Sequence, residues 1–250
     1  MKAVSLLEYL DEYLNTDGFP DYPRAHNGLQ VAGPSEVGRV AVAVDASEAV
    51  IQNATAGGAD LLIVHHGLFW DGQTRILGPR FRKLRALIEG EMALYSSHLP
   101  LDAHPEVGNS AVLCRALGWV LQGRFGSYGD HDLGWWCETE VEGDALVKQL
   151  KEVVQGPVRF IPGGPERIYR VGVVTGAGSD LIPEAADVGL DALVTGEGPH
   201  NSYNDAIEYG VNVFYAGHYA TETWGVRALG GHIEERFGVP YDFIDAPTGL

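Results

Sequence analysis

Two stretches of this chain repeat each other at a fixed spacing, and that repeat restricts the fold more than any other feature. Residues 40–67 read VAVAVDASEAVIQNATAGGADLLIVHHG and residues 171–198 read VGVVTGAGSDLIPEAADVGLDALVTGEG, each 28 residues long. A constant offset of 131 matches Gly58 with Gly189, Asp60 with Asp191, Leu62 with Leu193 and Gly67 with Gly198. Each copy runs from an apolar stretch through a Ser-containing turn and a helical segment to Gly-x-Asp and a second apolar stretch, the signature of a βαβ unit. A second shared pattern, Y-x-x-H-x-x-x-[DE], follows each copy: Tyr95-Ser-Ser-His98-Leu-Pro-Leu-Asp102 and Tyr215-Ala-Gly-His218-Tyr-Ala-Thr-Glu222. It equates His98 with His218 and Asp102 with Glu222. The expected fold is α/β, with two similar α/β lobes from an internal duplication.

The rest of the chain extends this alternation. Strands are expected at Val40–Val44, Leu61–Val64, Met92–Tyr95, Val171–Thr175, Ala192–Thr195 and Val211–Tyr215. Helices are expected at Ser47–Ala56, Arg80–Glu89, Asn109–Leu117, Ala145–Val154, Leu181–Val188, Ser202–Tyr209 and Glu222–Phe237. Gly and Pro gather in Gly123–Tyr128 and Gln155–Pro165, which places a boundary near residue 124. That gives a first lobe over residues 1–124, a second over 125–224, and a C-terminal segment, 225–250, that packs back on the first. The opening MKAVSLLEYLDEYL spaces its apolar residues helically and carries Glu8, Asp11 and Glu12, so it reads as an amphipathic helix and not as a signal segment. No apolar stretch reaches about 18 residues, so no membrane span is expected. With 17 Lys+Arg against 34 Asp+Glu the net charge is −17. Such a surface repels nucleic-acid phosphates and anionic bilayers alike. Two cysteines, Cys114 and Cys137, without a CxxC motif make no disulfide framework, and a reducing cytoplasm is expected.

The histidines carry the chemistry. His65 and His66 directly follow the apolar run Ala59–Val64, at the carboxyl end of a buried strand, where open α/β sheets place their ligands. Gly67 then frees the backbone to turn both imidazoles toward one site. His218 and Glu222 are spaced i, i+4, so a helix starting there would put both on one face as a metal clasp. His98 and Asp102 have the same spacing, but Pro100 between them points to a loop with Asp102 and His104 turned inward. His65, His66, Asp102, His218 and Glu222 offer three imidazoles and two carboxylates, too many for a closed structural zinc site. They suit two metal ions about 3.5–4 Å apart, in a cleft between the lobes. Zn, Fe, Mn, Co and Ni all accept that donor set. Thr175-Gly-Ala-Gly-Ser179 follows a strand and precedes a helix, where its amides could cradle a phosphate, but it lacks both the G-x-G-x-x-G spacing and a P-loop Lys, and a tight turn in which Ser179 or Asp180 caps the helix is the favoured reading. Glu197 and His200 stand where the second copy matches His65–His66, and either line the same cleft or close a loop. Neither cysteine sits in a setting that suggests a nucleophile, and G-x-S-x-G is absent.

The segments Asn27–Gln30, Val44–Ser47, Leu61–Gly67, His98–His104, Gly108–Asn109, Thr195–Glu197 and Gly217–Glu222 together resemble the GTP cyclohydrolase 1 type 2 family, also known as the NIF-three-like proteins. The resemblance implies a dinuclear metal centre, two divalent ions per subunit, with ligand positions that fall on His65, His66, Asp102, His218 and Glu222. It also implies two similar lobes and a toroidal homohexamer with its metal sites facing an internal cavity. The activity implied is hydrolysis: metal-activated water attacks C8 of GTP and opens the guanine imidazole ring, releasing formate, with His98 or His104 moving protons. Two other readings stand beside it, a metal-binding regulatory or chaperone protein without catalysis, and a metal-dependent phosphoesterase. A net charge of −17 repels a triphosphate, so the metals themselves would have to supply most of the attraction for a nucleotide.

Overall fold

The apolar runs of the repeat form the inner strands of two separate sheets. A computed structural model describes residues 1–70 and 75–249. In chain order the elements are α1 (Ala3–Tyr13), β1 (Gly28–Val31), β2 (Val40–Asp45), α2 (Glu48–Ala56), β3 (Leu61–His66), α3 (Gly78–Glu89), β4 (Ala93–Ser96), α4 (Leu99–Asp102) and α5 (Asn109–Ala116). They continue with β5 (Leu121–Tyr128), β6 (His131–Glu142), α6 (Gly143–Val154), β7 (Arg159–Ile161), β8 (Arg167–Val173), α7 (Ile182–Asp187), β9 (Ala192–Thr195), α8 (Ser202–Tyr209), β10 (Asn212–Tyr215), α9 (His218–Phe237) and β11 (Tyr241–Phe243). The chain divides into two units: Met1–Leu101 with Val226–Ala246, and Asp102–Gly225 with the chain end from Pro247. The division after Leu101 differs from a boundary near residue 124, because the Gly-containing stretch there is strand β5 of the second unit.

The first unit holds a five-stranded sheet in the order β1-β4-β3-β2-β11. β2, β3 and β4 run parallel, and β2 and β3 are buried along nearly their whole length. Central parallel strands are covered on both faces, which is why they read as unbroken apolar runs. β11 adds in parallel beside β2, pairing Tyr241 with Val40. Ala43, Val50, Ile51, Leu62, Val64, Leu87, Met92 and Leu94 form one core cluster on this sheet. Ser47 caps α2, its Oγ accepting the Val50 amide at 3.2 Å, which fixes where the crossover helix begins.

The second unit holds a six-stranded sheet in the order β5-β6-β8-β9-β10-β7, with β8, β9 and β10 parallel. Here the repeat extends down to single hydrogen bonds. Val40 pairs with Leu61, and 131 residues later Val171 pairs with Ala192. Asp60 Oδ2 accepts the amides of Gly38 and Arg39 at 2.7 and 3.0 Å; Asp191 Oδ2 accepts those of Tyr169 and Arg170 at 2.8 and 2.9 Å. Gly58 and Gly189 take φ of 71° and 72°, the left-handed turn that brings the chain off the crossover helix. Each triplet also carries an antiparallel edge strand in the same place, β1 on β4 and β7 on β10. The sheets differ on their other side, where β8 pairs with the long β5–β6 hairpin.

The second shared pattern is out of register by one residue. Val64 pairs with Ser96, and its counterpart Thr195 pairs with Tyr215. The next amides agree, Ser97 N donating to Val64 O and Ala216 N to Thr195 O. Ser96 is thus the counterpart of Tyr215, His218 aligns with Leu99 at the start of a helix, and His98 aligns with Gly217. Equating His98 with His218, and Asp102 with Glu222, is therefore incorrect; a slip of one residue in a strand exchanges its two faces. The expected loop at Pro100 is corrected as well. α4 forms a helical turn there, because Pro100 lies in the first turn, where no amide is called on to donate.

Candidate functional site

In the first unit β3 ends in His65 and His66, and the chain after β4 brings His98 beside them. The His65 and His98 ring centroids are 4.9 Å apart, those of His65 and His66 4.6 Å, and those of His66 and His98 5.6 Å. One ligating nitrogen from each of the three lies within 4.8 Å of the others. His65 is fully buried, and its Nδ1 donates to the Ser97 carbonyl at 3.0 Å. His66 Nδ1 is 2.8 Å from Asp45 Oδ1, the residue opposite it across the parallel β2–β3 ladder. His98 Nδ1 is 2.9 Å from Asp21 Oδ1. Asp21 is itself fixed: its Oδ2 accepts Asn27 Nδ2 at 2.8 Å and the Leu99 amide at 3.1 Å, while Asn27 Oδ1 accepts the His98 amide at 2.8 Å. Burial pushes the Asp21 carboxyl up, but the hydrogen bonds and charge of His98, with Asn27 and the Tyr22 amide, outweigh it and hold the carboxyl below its ordinary value. The Trp70 ring stands edge-on to His98, centroids 4.7 Å apart, held by Nε1 donating to Gly67 O at 2.9 Å. Gly67 does not use left-handed backbone as expected. Its missing side chain matters instead, since a Cβ would run into the Gln30 amide group, which also accepts the Leu68 amide through Oε1.

In the second unit α9 opens with His218, and Glu222 follows one turn later at 3.2 Å from His218 Nε2, Oε1 to nitrogen. His218 Nδ1 is 2.7 Å from Glu197 Oε1, in the loop after β9. The hydrogen bond to Glu222 is the largest influence on His218; burial opposes it, while the Glu222 charge and Glu197 assist, and the pKa rises to about 9. Thr175 and Gly176, just after β8, complete this group. Thr175 Oγ1 donates to Asp102 Oδ1 at 3.3 Å, and Asn109 Nδ2 donates to the same oxygen at 2.8 Å. Gly176 N donates to Thr221 Oγ1 at 3.1 Å. With φ of 68°, Gly176 presses its α-carbon against Glu222: a Cβ there would fall on Oε1 and lie 3.4 Å from His218 Nε2. The Thr175–Ser179 turn closes on protein groups, because Gly178 N donates to Thr195 Oγ1 at 2.9 Å, and neither Ser179 nor another side chain caps the 3-10 turn that follows. His104 serves a local turn, its Nδ1 accepting the amides of Glu106 and Val107 at 3.2 Å. His200 lies exposed in the loop before α8, while Glu197 of that segment hydrogen-bonds His218.

His65, His66, His98 and His218 share one arrangement. Each places Nδ1 against an oxygen that only accepts, a carbonyl or a carboxylate; in His65, His66 and His98 this puts the neutral ring's proton on Nδ1 and its lone pair on Nε2, while His218 has a second carboxylate, Glu222, at Nε2. Metal-ligating histidines are oriented in this way, by an acceptor behind the ring. The donor set therefore fits divalent metal on the geometry of the residues themselves.

The profile of the family described as Duf34/NIF3 (NGG1p interacting factor 3) matches residues 1–248. The chain belongs to the DUF34/NIF3 family. Its relatives include a Deinococcus radiodurans protein, 43% identical over 98% of this chain and 93% of its own length, and an Escherichia coli K12 protein, 38% identical over 99% of each. Both are named GTP cyclohydrolase 1 type 2 homolog. Among solved structures, the protein TTHA1606 from Thermus thermophilus matches with a TM-score of 0.92 at 42% identity, covering 100% of both chains. The protein named ybgI matches at 0.93 and 37% identity with the same coverage. In this DUF34/NIF3 chain no described helix is long and apolar enough to cross a membrane. The residues that sequence reading missed are the acceptors behind the rings, Asp21, Asp45 and Ser97. Asp45 alone had a local signal, as the last residue of an apolar strand that runs beside the His-His strand.

Proposed function

We propose that this chain is a metal-dependent hydrolase in which His65, His66, Asp102, His218 and Glu222 hold two divalent ions. The observation that carries the reading is the arrangement of the histidines: in each, an acceptor on Nδ1 directs Nε2 as a ligand would be directed. Bound ions would activate water at neutral pH and offset developing negative charge. The protein's own part is to hold the ligands. Asp45 and Glu197 orient the rings of His66 and His218, and Asn109 with Thr175 fixes the Asp102 carboxylate. Three imidazoles with two carboxylates favour Zn, Fe, Mn, Co or Ni over Mg or Ca. The names of the relatives point to GTP as substrate, and the reaction proposed here opens its imidazole ring and releases formate. With a net charge of −17, the phosphates would be drawn by the ions and not by the surface.

Metal-reconstituted protein incubated with GTP and with a panel of phosphoesters tests the activity, with formate and phosphate measured separately. Formate from GTP supports the reading; phosphate without formate would replace it by a phosphoesterase, and neither product by a binding protein. Glu222→Gln tests the site: the loss of one negative charge between two cations should lower metal content below that of the parent while the fold remains. We also propose a cytoplasmic homohexamer. Light scattering should find a species about six times the 27.0 kDa chain, and a monomer at micromolar concentration would refute the assembly.

A further inference from the structure

We propose that His98 is a metal ligand, and that His65, His66 and His98 bind one divalent ion without help from any residue of the second unit. The inference rests on the metal reading above and extends it to a residue outside the five-ligand set. It also gives His98 a ligand's role in place of the proton carrier's role expected from sequence. Three observations carry it. The ligating nitrogens of the three rings lie within 4.8 Å of one another. A tetrahedral ion with Zn–N distances of about 2.0–2.1 Å asks for nitrogens roughly 3.4 Å apart, so small ring rotations would close the set. Second, each ring has its own acceptor on Nδ1: Ser97 O at 3.0 Å, Asp45 Oδ1 at 2.8 Å and Asp21 Oδ1 at 2.9 Å. Third, the most elaborate support belongs to His98. Asp21 and Asn27 hold its ring, its amide and the next amide, a further hydrogen bond ties Asn27 to Asp21, and Trp70 closes its edge. Orientation of that kind is what a ligand requires, because an ion responds to the direction of the lone pair. An all-imidazole set selects Zn, Co, Ni or Cu and disfavours Mg and Ca.

Cobalt(II) titration of the full-length protein tests this, read by visible absorption and by metal analysis. The variant His218→Ala/Glu222→Gln removes two ligands of the second unit and should still bind one cobalt per chain. Adding His98→Gln, which keeps a donor facing Asp21, should abolish that ion. Asp21→Asn in the same background keeps all three rings and should weaken binding about 10–100-fold, the usual cost of removing a group behind a ligand. If the double variant binds no cobalt while the parent binds two, the separate site is overturned and the dinuclear reading stands. Unchanged cobalt affinity after adding His98→Gln overturns the ligand role in the same way. Should His98→Gln fail to fold, Asp21→Asn decides, and unchanged affinity there overturns the proposal. A parent chain that binds no metal overturns both readings together.

Discussion

Replacing Gly176 by Ala should damage the second unit's ligand group through one added methyl. The position combines two constraints that can be separated. Its φ of 68° is strained for any residue with a Cβ, at roughly 1–2 kcal/mol. That alone should lower Tm by about 2–8 °C in a chain of this size. The second constraint is local to the site. The new Cβ would fall on Glu222 Oε1, well inside the 3.0 Å that real Cβ contacts keep, and would sit 3.4 Å from His218 Nε2. The carboxylate must swing away, and the 3.2 Å pair with His218 opens. A displaced ligand costs metal affinity on the scale of lost ligand support, about 10–100-fold. Gly210→Ala is the control, because Gly210 has φ of 71° and nothing within 4 Å of an added Cβ. Melting curves of metal-free protein should show the φ cost in both variants and a further loss in Gly176→Ala, whose His218–Glu222 pair opens as well, while zinc titration should weaken only in Gly176→Ala. Equal zinc affinity in both variants would refute the claim that Gly176 is kept to make room for Glu222.

The pH dependence of metal-free protein follows from His218. Its pKa in the folded state, about 9, lies above the ordinary 6.5, so its contribution is fully present below about pH 6.5 and is lost as pH rises through 9. Urea titrations at pH 6 and pH 10 should show a fall that Glu222→Gln reduces; an identical fall in both proteins would contradict the assignment. The same raised pKa means that metal and proton compete for His218, so metal affinity should climb with pH toward 9 with proton release, measurable in weakly buffered solution. Asp60→Ala and Asp191→Ala each remove an acceptor of two backbone amides in equivalent turns, and should cost similar amounts, about 1–3 kcal/mol each. Urea unfolding that shows a large loss for one and none for the other would break the structural equivalence of the two copies.

Much of the architecture was legible because it is locally encoded. The strands β2, β3, β9 and β10 are buried on both faces, so each announces itself as an apolar run without reference to its neighbours. The hairpin β5–β6 was not legible, and its glycines explain why. Gly123 and Gly126 read as breakers of a linker, yet both lie within β5, and the hairpin's glycines, Gly134 included, sit where neighbouring side chains need the space. A Cβ at Gly134 would lie 2.8 Å from the Phe125 ring, one at Gly172 2.5 Å from it, and one at Gly123 would strike the Trp136 indole. Which face of a strand an aromatic ring covers is settled across the sheet, not along the chain.

For the site, the sequence by itself placed the candidate donors. His65–His66 at the end of an apolar run and His218–Glu222 one helical turn apart are short-range facts, fixed by strand and helix geometry alone. Only the tertiary structure decided how those donors are oriented and that His98 joins the first pair. Asp21 lies 77 residues from His98, Asp45 21 from His66, and Glu197 21 from His218. The shared Y-x-x-H pattern pointed to the wrong equivalence for His98, because sequence similarity ignores the one-residue step that strand pairing enforces. Register and partner are properties of which strand ends lie side by side, and neighbouring strands join residues that the chain keeps far apart.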